Sequence, residues 1–301
     1  MPSSHTNLEG SDDKILPPWF CQPIPVPSAV DSMRSLLEEF NINTVCQSAR
    51  CPNSGQCWLR KAAAFMILGD VCTRSCRFCA VPSGQAPSVV DPYEPQHIAE
   101  AVNRLDLNYV VMTSVTRDDL PDCGVGQFIQ TIQAIRQWHS KAKIEVLIPD
   151  FQGDADLLDS LLRVKPDVIG HNIEMPGRFF PDLRPQGDYR RSVDVLTYLK
   201  KNRSRMIVKT GFMVGFGETD EEIERLLDDL IQTGCDILTI GQYLKPVKNE
   251  SMAQVQRYVT PAEFDQLRLL ALNKGFRHVV SGPLVRSSFL AEESFNALKI
   301  H

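Results

Sequence analysis

Six of the nine cysteines lie between residues 46 and 79, in two sets of three. Cys46, Cys51 and Cys57 are spaced C-x4-C-x5-C, and Cys72, Cys76 and Cys79 are spaced C-x3-C-x2-C. Three thiolates in each set is an informative number. A closed tetrahedral zinc site takes four protein ligands, and no fourth Cys or His lies close to the second set. A cubane iron–sulfur cluster can instead be held by three cysteines, which leaves one iron open to another molecule. The C-x3-C-x2-C loop is too compact for a helix to present the three sulfurs separately, but it can fold over one corner of such a cluster. Phe78, just before Cys79, would shield it from solvent. Disulfides are the weaker reading. The amino-terminal stretch MPSSHTNLEGSDDK is polar and acidic, with neither a signal-peptide core nor an Arg-rich transit pattern. The expected compartment is therefore the reducing cytoplasm, where clustered cysteines are metal ligands more often than disulfides.

The elements that must position these sulfurs come next. The chain has 301 residues, 43% of them hydrophobic, enough for one large core. A net charge of −5 gives no sign of nucleic-acid binding, and no apolar run approaches the roughly 18 residues that would span a bilayer. Residues 1–15 read as disordered, Leu16–Phe20 as an apolar anchor on the folded body, and lone Cys21 as structural. Residues 31–40 have helical periodicity, and the first cysteine set follows in a Pro- and Gly-containing loop. From Ala62 onward, six short apolar runs (62–68, 108–113, 143–149, 166–172, 205–214 and 236–242) read as buried strands. Helical stretches near 95–106, 126–140, 154–163, 188–202 and 219–233 lie between them, with another at 260–274. Thr219 with Glu222 forms a capping-box pattern.

Strands alternating with helices predict an α/β fold, a partial (β/α)6 TIM-type barrel with chemistry at the carboxyl ends of its strands. The second cysteine set directly follows the first of these strands. Three segments are expected: 1–61, an extension carrying the first cysteine set; 62–281, the partial barrel; and 282–301, a carboxy-terminal tail.

The spacing of the second set after a strand resembles the radical S-adenosylmethionine (SAM) superfamily. The first set, ending 14 residues before it, narrows the resemblance to the lipoyl synthase family. Five further segments carry that resemblance: Thr113–Asp122 (TSVTRDDLPD); His171–Glu174 (HNIE) with Arg184-Pro185; Lys209–Glu218 (KTGFMVGFGE); Ile240–Leu244 (IGQYL); and Gly282–Phe289 (GPLVRSSF). The match spans about Leu16 to Glu292. Phe289 stands where the family usually has Tyr, and Cys123 where a Gly is more usual.

The resemblance implies an enzyme that inserts sulfur at C6 and C8 of an octanoyl group amide-linked to a lysine of a carrier protein. These carbons bear unactivated C–H bonds beyond the reach of side-chain acid–base chemistry, so a cofactor-derived radical must perform the abstraction. It implies two [4Fe-4S] clusters and two SAM molecules per lipoyl group. Cys72, Cys76 and Cys79 would hold the SAM-binding cluster. Cys46, Cys51 and Cys57 would hold an auxiliary, sulfur-donating cluster, with Ser288 as its fourth ligand and Ser287 as the alternative. An oxygen ligand matches iron less well than thiolate and suits a group that must be released. Thr113, Ser114, Arg117, Asn172, Glu174, Arg184 and Glu218 lie where such barrels contact SAM, although capping or strand-end hydrogen bonding would explain each as well.

Partners implied are octanoylated lipoyl carrier domains (glycine cleavage H protein and 2-oxoacid dehydrogenase E2), a ferredoxin or flavodoxin electron donor, and an iron–sulfur carrier protein. His171 by itself reads as a satisfied core histidine, and Cys123 and Cys235 as bystanders. Arg190, Arg191, Lys200, Lys201, Arg203 and Arg205 read as a solvated helix face, or as a dock for an acidic carrier. Two other classes fit parts of the pattern. A two-cluster methylthiotransferase would carry its extra cysteines in a sizeable separate domain, and a non-catalytic iron–sulfur or zinc scaffold would not bind SAM.

Overall fold

The computed structural model describes residues 16–21, 27–203, 205–246 and 249–299. The disorder expected for residues 1–15 lies outside these. In chain order the elements are α1 (Pro27–Glu39), β1 (Asn43–Thr44), α2 (Val45–Ser48), α3 (Ser54–Leu59), β2 (Ala64–Ile67), α4 (Glu94–Leu105), β3 (Tyr109–Ser114), α5 (Val125–Trp138), β4 (Lys143–Leu147), α6 (Ala155–Arg163), β5 (Val168–Gly170), α7 (Phe180–Leu183), α8 (Tyr189–Asn202), β6 (Ile207–Val214), α9 (Asp220–Gln232), β7 (Ile237–Gln242), α10 (Pro261–Lys274), β8 (His278–Gly282) and α11 (Ala291–Lys299).

The strands form one open sheet in sequence order, β1 to β8. β2 to β8 are parallel, and β1 adds antiparallel to β2. All six expected strands are present, and the open sheet has the form of a partial barrel. A short strand joins each edge. β1 and β8 carry little continuous apolar sequence and owe their place to pairing: Asn43 faces Met66, and Val279 faces Leu238.

Strand alternation decides what points where. Phe65, Ile67, Val110, Met112, Ile144 and Val146, all fully or almost fully buried, belong to the main core shared with the helices. The opposite face lines the barrel interior, where register brings together Ala64, Val111 and Glu145. There Lys209 Nζ pairs with Glu145 Oε1 at 2.7 Å, and the Tyr109 hydroxyl donates to Glu145 Oε2 at 2.5 Å. Phe295 of α11 packs on the Tyr109 ring, with centroids 5.6 Å apart, and Ala291 meets Ala64 and Val111. The interior is thus filled near the amino ends of the strands.

Helix starts follow their caps. Asp154 accepts from the Asp156 and Leu157 amides at the start of α6, and Thr219 forms the expected capping box with Glu222 at α9. Thr260 with Glu263 builds a second box at α10. Phe20 is buried, with its ring 5.4 Å from Tyr258, so the apolar anchor does lie on the body. Cys21 is exposed, which corrects the structural role expected for it: the turn at Pro18–Phe20 ends before it and points it outward. The first cysteine set is also less loop-like than expected. Cys46 sits in α2, capped by Thr44, and Cys57 sits in α3. Only Cys51 lies between helices, because the single turns on either side close on their own backbone.

Candidate active site

The carboxyl ends of the parallel strands define one mouth, and every motif from the sequence reaches it. The loop after β2 carries Cys72, Cys76 and Cys79 and is pinned at several points. Cys72 pairs in parallel with Ser83, through its N–H to Pro82 (2.8 Å) and its carbonyl from Gly84 (2.9 Å). Thr73 donates to the Thr116 carbonyl (3.0 Å) beyond β3, the Arg77 N–H donates to the Leu183 carbonyl (2.8 Å), and the Ala253 N–H donates to the Arg77 carbonyl (2.8 Å). The N–H groups of Arg74 (3.4 Å) and Thr116 (3.3 Å) point at the Cys72 sulfur. Such donors stabilise charge on a sulfur.

Arg74 ties this loop down and was given no role by sequence reasoning. Its guanidinium makes two hydrogen bonds to Asp118 (2.6 and 2.9 Å) and two to Asp150 (2.7 and 3.0 Å). Arg191 Nε adds a third donor to Asp150 at 2.8 Å. Burial works against the Arg74 charge, and the two carboxylates more than offset it. They hold its pKa above the usual value, while the Asp150 carboxyl is held low. The signals in the sequence were a cation inside the cysteine loop and two aspartates just past strand ends.

The sequence-predicted cofactor contacts divide. Asn172, Glu174 and Arg184 gather at the second cysteine set. Burial pushes the Cys76 thiol up to about 12; Arg184 opposes this, while Cys79, Glu174 and Cys72 add to it. Glu174 sits at φ +71°, a left-handed conformation rare for a non-glycine residue and common where function holds it. Burial raises its carboxyl, opposed by Arg184 and Asn172. The Ser114 hydroxyl is buried at the end of β3 with no hydrogen-bond partner among the described residues, a polar atom a ligand could satisfy. Thr113, Arg117 and Glu218 are occupied within the protein. Thr113 donates to the Leu147 carbonyl (2.8 Å), and Arg117 holds Asp119 and the Pro87 carbonyl (2.8 Å each). Glu218 accepts from the amides of Gly215 (2.7 Å) and Phe216 (2.8 Å), closing the turn after β6. That turn needs glycine: Gly215 has φ +107°, and a Cβ there would lie 2.0 Å from Gln242 Nε2.

The first cysteine set closes the other side of the mouth. Burial pushes Cys57 up to about 11, reinforced by Cys46 and Cys51. Cys46 is raised by burial and by Cys51, and lowered by the Ala64 amide. The backbone holds their segments together: the Cys51 N–H donates to the Cys46 carbonyl (3.0 Å), and Ser54 Oγ donates to the carbonyls of Cys51 (2.7 Å) and Cys46 (3.3 Å). The buried Trp58 indole N–H lies beside Cys46 and lowers its thiol. Among the described residues no three His, Cys, Asp or Glu side chains are arranged to hold a single metal ion, and all nine cysteines are free thiols.

The carboxy-terminal segment joins this set across a long sequence distance. Asn53 Nδ2 donates to the Leu284 carbonyl at 2.6 Å, and the Val285 carbonyl lies where a Cβ on Gly241 would be, 2.2 Å away. Ser287 and Ser288 follow in a turn closed by the backbone, from the Phe289 N–H to the Arg286 carbonyl (2.9 Å). Neither hydroxyl has a hydrogen-bond partner among the described residues. The donor sets fit two iron–sulfur clusters. Each offers three thiols, and burial raises Cys46 and Cys57 in the first set and Cys76 and Cys79 in the second.

His171 is the core histidine expected, with Nδ1 against the Ile148 carbonyl (2.9 Å) and Nε2 against Ser192 Oγ (3.0 Å). Cys123 and Cys235 are buried in the body. The basic run on α8 is split by the fold. Arg191 serves Asp150 and Lys200 pairs with Asp236 at 2.6 Å, so these two are not a free docking surface. Arg190 stands at the mouth end of α8, and Arg203 lies past its other end.

A family profile described as the radical SAM superfamily matches residues 66–230. The chain is 48% identical to the lipoyl synthase of Chlorobaculum parvum over 92% of this chain and 94% of that protein. It is 47% identical to the lipoyl synthase of Caldicellulosiruptor saccharolyticus, over 92% and 96%. Among solved structures, Streptococcus suis SuiB bound to S-adenosylmethionine superposes with a TM-score of 0.54 at 10% identity, covering 76% of this chain and 54% of that one, a likeness of fold. Superfamily membership implies a [4Fe-4S] cluster and SAM. No helix among the described residues is long and apolar enough to cross a membrane. Family profile, full-length relatives and the mouth of paired cysteine sets agree: this chain belongs to the lipoyl synthase family of radical SAM enzymes.

Proposed function

We propose that this enzyme inserts sulfur at C6 and C8 of an octanoyl group amide-linked to a carrier lysine. The observation that carries the reading is the junction of the second mouth wall: Asn53, between Cys51 and Cys57, is bonded to Leu284, four residues before Ser288. That junction ties the segment of Cys46, Cys51 and Cys57 to the segment leading to Ser287 and Ser288, which supports one ligand set drawn from both. When bound, SAM on the second cysteine set supplies 5′-deoxyadenosyl radicals for hydrogen abstraction, two per lipoyl group, and the auxiliary [4Fe-4S] cluster supplies the sulfur.

The chain's own groups hold and orient. Cys72, Cys76 and Cys79 anchor the SAM-binding cluster. Cys46, Cys51, Cys57 and Ser288 anchor the auxiliary one, with the Ser288 oxygen as the weaker ligand. Asn172 and Arg184 face SAM, with Arg184 giving positive charge for its carboxylate. Glu174 and the Ser114 hydroxyl give acceptors for its ammonium and ribose. Thr113, Arg117 and Glu218 act one step away, by fixing β3 and the turn after β6. Residues 1–61, 62–281 and 282–301 work as cluster extension, radical SAM partial barrel and ligand-bearing tail. The substrates are octanoylated lipoyl domains of the H-protein and E2 type. A ferredoxin or flavodoxin reduces the enzyme, an iron–sulfur carrier restores the auxiliary cluster, and the setting is cytoplasmic.

The test is anaerobic reconstitution with a reductant, SAM and an octanoyl-lysine peptide. About eight irons per chain, 5′-deoxyadenosine release and a peptide carrying two added sulfurs are expected. Cys46→Ala should cleave SAM and add no sulfur. An intact enzyme that binds only about four irons, or cleaves SAM and leaves the peptide unchanged, refutes the assignment.

A further inference from the structure

The carboxy-terminal helix docks on the barrel, and α11 begins at Ala291, three residues after Ser288. Ala291 packs on Ala64 and Val111, paired residues of β2 and β3, and Val45, the neighbour of Cys46, packs against the same cluster. One turn on, Phe295 is buried, with its ring 5.6 Å from that of Tyr109 at an angle of 57°. Tyr109 is itself held, because its hydroxyl donates to Glu145 (2.5 Å) and Glu145 pairs with Lys209 (2.7 Å), both of them buried. Glu293 of α11 reaches Arg60, just past α3, at 3.7 Å.

Between the serines and this helix the chain has little freedom. The turn of Ser287 and Ser288 closes from the Phe289 N–H to the Arg286 carbonyl at 2.9 Å. Leu290 follows at φ +51°, a left-handed conformation that a bulky residue adopts where the chain is held on both sides. Its carbonyl accepts from the Ser294 N–H (3.0 Å) and hydroxyl (2.9 Å), in the first turn of α11. The helix thus fixes Leu290, and Leu290 fixes the direction in which the serine turn leaves. A helix of nine residues does not persist alone in water, so α11 depends on its docked apolar face.

We propose that Phe295 and Tyr109 are positioning residues for the auxiliary site: docking of α11 on the Tyr109 ring sets where Ser287 and Ser288 stand relative to Cys46, Cys51 and Cys57. The inference rests on the two-cluster reading above. Both rings act through the helix and not as ligands. An aromatic pair favours particular geometries, so the contact fixes the helix in place as well as burying it. The Tyr109 ring cannot swing aside without taking a donor from the buried Glu145 carboxylate, which anchors the platform. Packed elements of this kind carry a change in the barrel interior to the serine turn, because close packing transmits displacement.

The experiment uses full-length, anaerobically reconstituted enzyme with Phe295→Ala and the milder Phe295→Leu. Two-sulfur peptide and 5′-deoxyadenosine are measured together, with hydrogen exchange along the chain. Phe295→Ala should lower the product formed per 5′-deoxyadenosine by about tenfold, the scale of one lost aromatic pair. Phe295→Leu, which keeps an apolar side chain, should lower it less. Exchange should rise over residues 283–299 and stay as in the parent over β3 to β7. A second set carries Cys72, Cys76 and Cys79 changed to Ala, so that only the auxiliary cluster is read, and follows iron loss to a chelator. There Phe295→Ala should speed the loss, and should add nothing once Ser287→Ala and Ser288→Ala are both present, since the helix acts through those serines. An unchanged product ratio overturns the inference. So does an effect that simply adds to that of the serines, or a Phe295→Ala enzyme that loses iron equally from both cysteine sets, since each marks a merely structural helix. A parent that binds only about four irons overturns the two-cluster reading, and this inference with it.

Discussion

Arg74 and Asp150 meet in the interior of the mouth, with the guanidinium 2.7 and 3.0 Å from the two carboxylate oxygens and the Asp150 side chain wholly buried. The pair joins the loop between Cys72 and Cys76 to the end of β4, and Asp118 on the same guanidinium adds the end of β3. Three separate segments therefore share one cation, and the sulfur geometry inherits their rigidity.

Removing that cation leaves two carboxylates facing each other in the interior. Arg74→Gln should destabilise the protein by about 3–5 kcal/mol, the range for breaking a buried pair on one side. Arg74→Lys should fall between, because a point ammonium cannot serve both carboxylates bidentately. Urea unfolding measures the loss. Iron counts should show loss confined to the SAM-binding cluster, and equal loss from both clusters would refute a local role.

Gly241 is needed for close approach. Its Cβ would lie 2.2 Å from the Val285 carbonyl, a backbone atom that cannot rotate aside. Gly241→Ala should lift the segment carrying Arg286 and Ser288, cost about 1–3 kcal/mol as overpacking does, and impair sulfur insertion far more than SAM cleavage. Product mass and 5′-deoxyadenosine release separate the two effects.

His171 is buried and neutral, its pKa pushed down to about 4 by burial and by Arg184. In the unfolded chain it binds a proton near the ordinary value of about 6.5. Between these values the unfolded state carries more protons, so stability rises with pH. Stability should fall by up to about 3 kcal/mol as pH drops from about 6.5 to about 4, on the scale of 1.36 kcal/mol per pKa unit. Urea midpoints across this window should show the fall, and His171→Gln should flatten it.

The two ends of α8 should differ in carrier recognition. Fourteen helical residues span roughly 21 Å, so Arg190 can approach a carrier presenting its lysine at the mouth and Arg205 cannot. Arg190→Glu should raise KM for an octanoylated carrier domain severalfold at low salt, with kcat preserved, and Arg205→Glu should leave KM unchanged. Equal effects at both positions would refute docking at the mouth.

The chemistry was legible in the sequence because it depends on residue type and local spacing. Two cysteine triplets, the segments around them and the alternation of apolar runs with helical stretches are all short-range patterns. They yielded the family, the six central strands and the helices between them, but not α11, which lies in the segment read as a tail. Edge strands β1 and β8 were not legible, since only pairing with a neighbour makes them strands. Hydrogen-bond partners were not legible either. Thr113, Arg117 and Glu218 have the residue types of ligand contacts, yet their bonds close inside the protein, whereas Ser114 has no partner among the described residues. Arg191 and Lys200 looked like exposed charge and proved to be bonded to Asp150 and Asp236. Above all, Asn53 and Leu284 stand 231 residues apart, and nothing local to either names the other. Sequence alone thus determined the family and the residue types available to its chemistry. The tertiary structure decided which of them face one another, because strand order and close backbone approach, rather than residue type, bring the ends of the chain to the same mouth.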